Sequence, residues 1–109
     1  VPLPPEHAGH AYYRLYAFVE PDALAPGWTR DRVASAVAAE GVPVSYGSCA
    51  EIYRERAFER AGLGPADRLP GATRAHETSL AFLVHPTLGD SEMDDTAEAV
   101  RRVMVVAAR

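Results

Sequence analysis

The chain contains no lysine, because all 11 of its Lys and Arg residues are arginines. Enzymes that hold a carbonyl compound as a Schiff base use a side-chain amine, and phosphate-binding P-loops also need a lysine. This polypeptide alone therefore offers neither chemistry. A length of 109 residues suits one compact domain and is too short for two.

Other features are scarce as well. A single cysteine, Cys49, permits no internal disulfide, which fits a reducing cytoplasm. The net charge of −4 and the absence of a basic cluster argue against a nucleic-acid partner or an anionic membrane. No apolar run approaches the roughly 20 residues of a membrane helix. Residues 1–9 are rich in proline and are predicted to be a linker that leads into a domain over residues 10–109.

Strand and helix patterns alternate along the chain. Tyrosine-rich alternation predicts a strand over residues 11–19, and Thr29 and Gly41 are typical of the start and stop of a helix over residues 30–40. The remaining predicted elements are a strand over 42–46, a helix over 50–61 closed by Gly62, an irregular segment over 62–75, a strand over 79–84 and a terminal helix.

In the terminal helix, Ser91 and Asp94 are spaced like a capping box, and the stripe Met93, Ala97, Val100 and Met104 is predicted to be buried. Three short strands covered by helices predict an α+β fold, a two-layer sandwich with a small three-stranded sheet. The pattern leaves the strand pairing open.

Structural roles explain the charged residues and the metal-binding residue types of this sequence. Arginines and glutamates alternate over residues 51–60, which is typical of a solvated helix face with intrahelical ion pairs. His7 and His10 have the spacing of a metal-binding pair on a helix, but the neighbouring prolines prevent a helix there. A metal site is therefore not predicted. His85 is expected to bond a neighbouring backbone group rather than act as an acid or base. The acidic set Asp90, Glu92, Asp94 and Asp95 is expected to favour a helix N-terminus rather than to bind calcium.

Cys49 lies just before the predicted helix over 50–61, and a lone cysteine is more often inert than reactive. If a helix begins at Ala50, its dipole lowers the pKa of the Cys49 thiol, and Gly47-Ser48 offers backbone amides to an anion. No histidine close in sequence could serve as a base for that thiol, however. Tyr12, Tyr13 and Tyr16 are taken as core or interface residues rather than as a stacking platform. No catalytic set is complete.

Four segments together resemble a known family. They are His10–Tyr16, Arg30–Pro43, Gly47–Phe58 and Glu77–Leu88 with the helix that follows. In order and spacing they are similar to the C-terminal small domain of the DegT/DnrJ/StrS sugar aminotransferases, over about residues 10–106.

The resemblance implies a pyridoxal-phosphate enzyme that transfers an amino group to a nucleotide-linked keto sugar. It implies that a large N-terminal domain supplies the reactive lysine, and that the small domain closes over the active site in a homodimer. The cofactor would be bound by the intact enzyme and not by this fragment alone, which is expected to be inactive.

Site residues are carried over from this resemblance. Many members have His-Tyr where this chain has Ser45-Tyr46, so the sugar or the way it is held is expected to differ. Tyr46, Ser48 and His10 are predicted to bond substrate hydroxyls or phosphate. The alternative is a free-standing α+β ligand-binding or dimerisation module.

Overall fold

A computed structural model describes residue 1 and residues 3–109; Pro2, part of the predicted linker, lies outside the described residues. The strands are β1 (Arg14–Phe18), β2 (Val44–Tyr46) and β3 (Ser79–Leu83). The helices are α1 (Arg30–Ala39), α2 (Arg56–Ala61), α3 (Pro70–Thr78) and α4 (Asp90–Ala107). Short 3₁₀ turns occupy Pro21–Ala23 and Ile52–Arg54.

The strands form one antiparallel sheet in the order β1-β3-β2. Register places Tyr16 and Ser45 on either side of Ala81, and Leu15 and Val44 on either side of Phe82. Because successive side chains alternate between faces, the sheet has two distinct surfaces. We call the surface that carries Arg14, Tyr16, Phe18, Ser45, Ser79, Ala81 and Leu83 the outer sheet face.

The hydrophobic core lies on the opposite face of the sheet, under α1 and α4. Val33 and Val37 of α1 are almost fully buried against Leu80 and Phe82 of β3. From α4, the residues Ala99, Val103 and Ala107 close the core. The two-layer α+β prediction is therefore confirmed, with the helical layer on one side of a three-stranded sheet.

Helix α1 begins and ends as predicted. The Thr29 hydroxyl accepts a hydrogen bond from the Arg32 amide at 3.2 Å, which satisfies one free donor of the first turn. After the last turn Gly41 adopts a φ of +91°, a conformation that favours glycine. Strand β1 is shorter than predicted, because Tyr12 has a φ of +48° that is incompatible with a strand and pairing begins at Arg14.

The segment between β2 and β3 differs from the prediction. The predicted helix over 50–61 is interrupted, because Glu55 is extended with φ −67° and ψ 142°, and only Arg56–Ala61 is α-helical. Gly62 ends that helix in the left-handed conformation, as expected. Helix α3 begins at Pro70, inside the predicted irregular segment over 62–75, and continues beyond it to Thr78. Proline and glycine at the first two positions looked like loop signals, yet the first turn of a helix tolerates both.

Helix α4 begins earlier than predicted. The Glu92 carboxylate accepts a hydrogen bond from the Gly89 amide at 2.8 Å, so Gly89 is the N-cap rather than Ser91. The predicted stripe is also rotated, because Met93 is exposed and the most deeply buried residues are Ala99, Val103 and Ala107. Within the described residues, no helix combines the length and apolar character required to cross a membrane.

Candidate functional site

A polar cluster lies on the outer sheet face. The Arg14 guanidinium donates to the Ser45 hydroxyl at 3.2 Å, across β3 from one edge strand to the other. The Tyr16 and Ser48 hydroxyls are 2.7 Å apart and share a hydrogen bond. Ser45 in turn donates to the Ala81 carbonyl at 3.3 Å. The cluster thus presents one cation and several hydroxyl groups on a face that the helical layer leaves open.

A cleft of about 290 Å³ adjoins this cluster. We call it the tyrosine cleft; its lining residues are Leu3, Pro4, His10, Tyr12, Tyr13, Arg14 and Tyr16. The His10 and Tyr12 ring centroids are 4.3 Å apart, and His10 Nδ1 accepts a hydrogen bond from the Tyr12 amide at 2.9 Å. That bond helps to hold Tyr12 in its unusual left-handed conformation. Tyr13 is 83% exposed, so it is not a core residue.

The structure places the three predicted site residues in different surroundings. His10 lines the tyrosine cleft, whereas Ser48 does not line it but bonds Tyr16, which does. Tyr46 instead pairs with Leu80 and therefore belongs to the opposite face of the sheet, at its exposed end. The roles predicted for these three residues in substrate binding stay predictions.

Tyr46 is paired with a largely buried arginine. The Arg30 guanidinium lies 4.0 Å from the centre of the Tyr46 ring and donates to the Ser79 carbonyl at 3.1 Å. Its side chain is only 12% exposed. Arg30 Nε is 2.6 Å from an Asp31 carboxylate oxygen, but the contact lacks hydrogen-bond geometry and leaves Nε without a hydrogen-bond partner among the described residues. The stacking holds Tyr46 against the start of α1.

The prediction of a solvated helix face over residues 51–60 holds only in part: Arg56, Glu59 and Arg60 of α2 are exposed, but Glu51 is buried, at 4% exposure. Its carboxylate accepts five hydrogen bonds, two of them from Arg68 at 2.9 and 2.6 Å; the other donors are Tyr53, Arg54 and Thr73. The Arg68 fork, more than any other group, holds the pKa of Glu51 far below its ordinary value. These contacts tie the segment before α2 to α3.

This network also explains why the predicted helix is interrupted. Tertiary hydrogen bonds to Arg68 and Thr73 draw Glu51 into the fold, and Glu55 turns away to begin α2 separately. The thiol of Cys49 therefore does not precede a helix N-terminus. It donates to a Glu55 carboxylate oxygen at 3.2 Å, and this bond raises the pKa of the thiol. The alternatives of a lowered pKa at Cys49 and of an anion site made by helix amides at Gly47-Ser48 are therefore not supported, and the interpretation of Cys49 as an inert thiol stays a prediction.

The structural interpretations of His85 and Glu92 are confirmed. The Thr87 amide donates to His85 Nδ1 at 3.3 Å, so that imidazole bonds a neighbouring backbone group as predicted. Glu92 bonds the amide at the start of α4, as expected for an acidic residue there. The described part of the chain contains no group of three His, Cys, Asp or Glu side chains placed to hold a metal.

The groups at this site can donate and accept hydrogen bonds. Its groups are a guanidinium, phenols, hydroxyls and an imidazole whose Nδ1 already accepts a hydrogen bond. Arg14 and Tyr16 were not predicted as site residues, although strand alternation places both on one face. The pairing of Glu51 with Arg68 could not be predicted, because nothing local links residues 17 positions apart.

The comparisons with known proteins relate the chain to aminotransferases. The X-ray structure of an aminotransferase from Psychrobacter cryohalolentis superposes on this chain with a TM-score of 0.84 and 46% sequence identity. The match covers 89% of this chain and 25% of that protein, so the chain spans about a quarter of its length. No family model matches the chain, and no curated protein matches it. The likeness confirms that this chain has the α+β fold of a domain-sized part of that aminotransferase.

Proposed function

We propose that this chain is the C-terminal small domain of a pyridoxal-phosphate-dependent aminotransferase. The observation that carries the proposal is the 46% identity over 89% of the chain with a quarter of a solved aminotransferase. The resemblance to the DegT/DnrJ/StrS family further supports a nucleotide-linked keto sugar as the amino acceptor, and a cytoplasmic homodimer as the assembly. The products of such a reaction are amino sugars.

The residues of this chain do not by themselves fit pyridoxal phosphate. The cofactor is held and used through a lysine amine, and the sequence has no lysine. In this proposal the lysine and most cofactor contacts belong to a large N-terminal domain of the same polypeptide. The present chain is then inactive alone and contributes to the closed active site.

Its contribution is to hold the sugar substrate. Ser48 and Tyr16 offer paired hydroxyls on the outer sheet face, and Tyr16 and His10 both line the tyrosine cleft. Tyr46, held by Arg30, presents a half-exposed phenol at the other side of the sheet. Hydroxyl and phenol groups of this kind donate to and accept from sugar hydroxyls and phosphate oxygens.

The deciding experiment begins with the complete reading frame that encodes this chain. We expect it to encode roughly 250 or more further residues before the chain, estimated from the size of a large domain, with a lysine among them. The purified whole protein should bind pyridoxal phosphate and transfer the amino group of glutamate to a nucleotide-linked keto sugar. A reading frame that begins at this domain, or a whole protein without visible cofactor absorbance, would favour the ligand-binding module instead.

The isolated chain supplies the matched control. Mixed with pyridoxal phosphate, it should show no new visible absorbance that survives dialysis. In the whole protein, Tyr46→Phe should raise the KM for the sugar with little change in cofactor binding. The matched control is Tyr13→Phe in the same domain, which keeps every hydrogen bond seen in the structure and should leave that KM unchanged. A stable coloured adduct of the isolated chain would contradict the proposal.

A further inference from the structure

The hydrophobic core contains a cavity of about 330 Å³ beside β1, at one edge of the sheet. We call it the core cavity; its buried lining residues are Val19, Leu24, Val33, Val37, Leu80 and Phe82. The space is left because β1 pairs with β3 and α4 packs mainly against α1, so α4 does not close tightly over the edge strand. The cavity therefore lies between the two layers of the fold.

One end of the core cavity opens to solvent. Its exposed lining residues are Phe18, Glu20, Ala23 and Ala108, which mark the mouth. Two half-buried residues of α4, Val100 and Met104, also line the cavity and pack against the core. A small molecule can thus enter beside β1 without unfolding of the core.

Water is a poor occupant of this cavity. Among the described residues Glu20 is the one lining residue with a charged side chain, and its carboxylate accepts a hydrogen bond from Arg74 at 2.6 Å. The backbone amides of Val19, Leu24 and Ala108 already donate to other carbonyls. A buried water makes typically about three hydrogen bonds, and the inner walls are valine, leucine and phenylalanine. The inner end of the cavity is therefore suited to an apolar occupant.

The volume of the core cavity fits one compact guest. Protein interiors are close-packed, with few voids larger than a water molecule. An apolar cavity of about 150 Å³ stays dry and admits benzene. The core cavity has roughly twice that volume, which suits a guest of one or two rings.

From these observations we propose that the core cavity is a binding site for a small, uncharged apolar molecule, with aromatic compounds between benzene and indole in size as the class that fits best. Burial of apolar surface on both the guest and the walls supplies the affinity. The walls hold no unpaired charge, so an ionised ligand would lose its hydration without compensation. The proposal does not rest on the proposed function, because it concerns the core between the two layers rather than the outer sheet face.

The site can be tested by isotope-edited NMR titration of this chain with benzene, indole and benzoate. We expect benzene and indole to shift the Leu80, Val100 and Met104 amide signals saturably, and indole to bind more tightly because it fills more of the volume. Benzoate carries the same ring as benzene with an added charge, so it should bind at least about tenfold more weakly. The melting temperature should rise with the concentration of benzene or indole, because the guest binds the folded chain.

Variants that fill the core cavity locate the site. Val100→Phe places a larger apolar side chain in the cavity, so it should weaken benzene binding at least about tenfold while the melting temperature is kept or raised. Ala17→Leu fills the same space from β1 and should have the same effect. The matched control is Val105→Phe, the same change on the same helix at a residue that is 74% exposed, which should leave benzene binding unchanged.

Several results would overturn the proposal. Neither benzene nor indole would give saturable shifts at millimolar concentration, benzoate would bind as tightly as benzene, or both filling variants would bind benzene like the unchanged chain. Weaker benzene binding as the chain is concentrated, with association in sedimentation, would mean that a second copy fills the cavity. Loss of benzene binding in the whole polypeptide would mean that a segment outside this chain fills it. Either occupant would replace the small molecule.

Discussion

Gly47 lies at the point where the chain leaves β2 and passes close to β3. A Cβ atom added there would lie 2.3 Å from the Ser79 hydroxyl oxygen and 2.7 Å from the Ser79 Cβ. Comfortable contacts of this kind are about 3.5–4.0 Å, so the overlap exceeds roughly 0.8 Å even at the farther atom. Ser79 is buried in β3 and cannot simply swing into solvent. The glycine is required here by space, since its φ is not in the left-handed region.

We therefore expect Gly47→Ala to destabilise the isolated chain. Overpacking of a closely packed site costs about 1–3 kcal/mol. For a domain near this size, each kcal/mol lowers the melting temperature by roughly 4–8 °C. The free energy of unfolding is measured by urea titration, followed by circular dichroism. The same shift should disturb the hydrogen bond between Ser48 and Tyr16, which NMR reports separately.

A double variant tests the cause. Ser79→Gly removes both clashing atoms, and the Ser79 side chain makes no hydrogen bond among the described residues, so Gly47→Ala should cost little in that background. The matched control is Gly71→Ala in α3, where an added Cβ meets nothing within 4 Å. That helical position should gain about 0.5–1 kcal/mol. The steric argument would be refuted if Gly47→Ala cost as much stability in the Ser79→Gly background as in the unchanged chain. It would also be refuted if Gly47→Ala alone left the free energy of unfolding unchanged.

Three further predictions concern stability. Thr29→Ala should cost about 1 kcal/mol in urea titrations and Thr29→Asp nearly nothing, since aspartate also caps α1. Val37→Ala should cost about 2 kcal/mol because Val37 is fully buried, whereas Val105→Ala, at 74% exposure, should be neutral. The lowered pKa of Glu51 means that the unfolded chain binds more protons, so stability should fall as pH drops below about 4.5. Glu51→Gln should remove part of that acid dependence, and an unchanged pH profile would contradict it.

The elements bounded by strong local signals could be predicted from sequence. Thr29 and Gly41 determine both ends of α1 through a side-chain cap and a left-handed turn. These features depend on a residue and its immediate neighbours. The segment between β2 and β3 could not be predicted, because Glu51 is held by Arg68 and Thr73, which lie far along the chain. Tertiary hydrogen bonds there override a helical pattern.

The candidate site was predictable only in part for the same reason. The family resemblance selected Tyr46, Ser48 and His10, and in the structure His10 lines the tyrosine cleft while Ser48 bonds Tyr16, another lining residue. Tyr16 was interpreted as a core and interface residue, because strand alternation does not reveal which face the helices cover. That choice depends on α4, which returns across the sheet at the end of the chain and covers the other face.

The arginines show that the lack of lysine has more than one physical meaning. Arg30 stacks on Tyr46 and donates a hydrogen bond to a backbone carbonyl, and Arg68 donates to both carboxylate oxygens of Glu51. Both arrangements need the planar guanidinium fork, which the ammonium group of lysine cannot reproduce. At exposed positions such as Arg60, which has no ion pair among the described residues, the fold gives no reason to prefer arginine. A lysine there would cost nothing in stability. The lack of lysine therefore bears on function only through chemistry. Any Schiff-base catalysis in which this domain takes part must use a lysine amine from outside this chain.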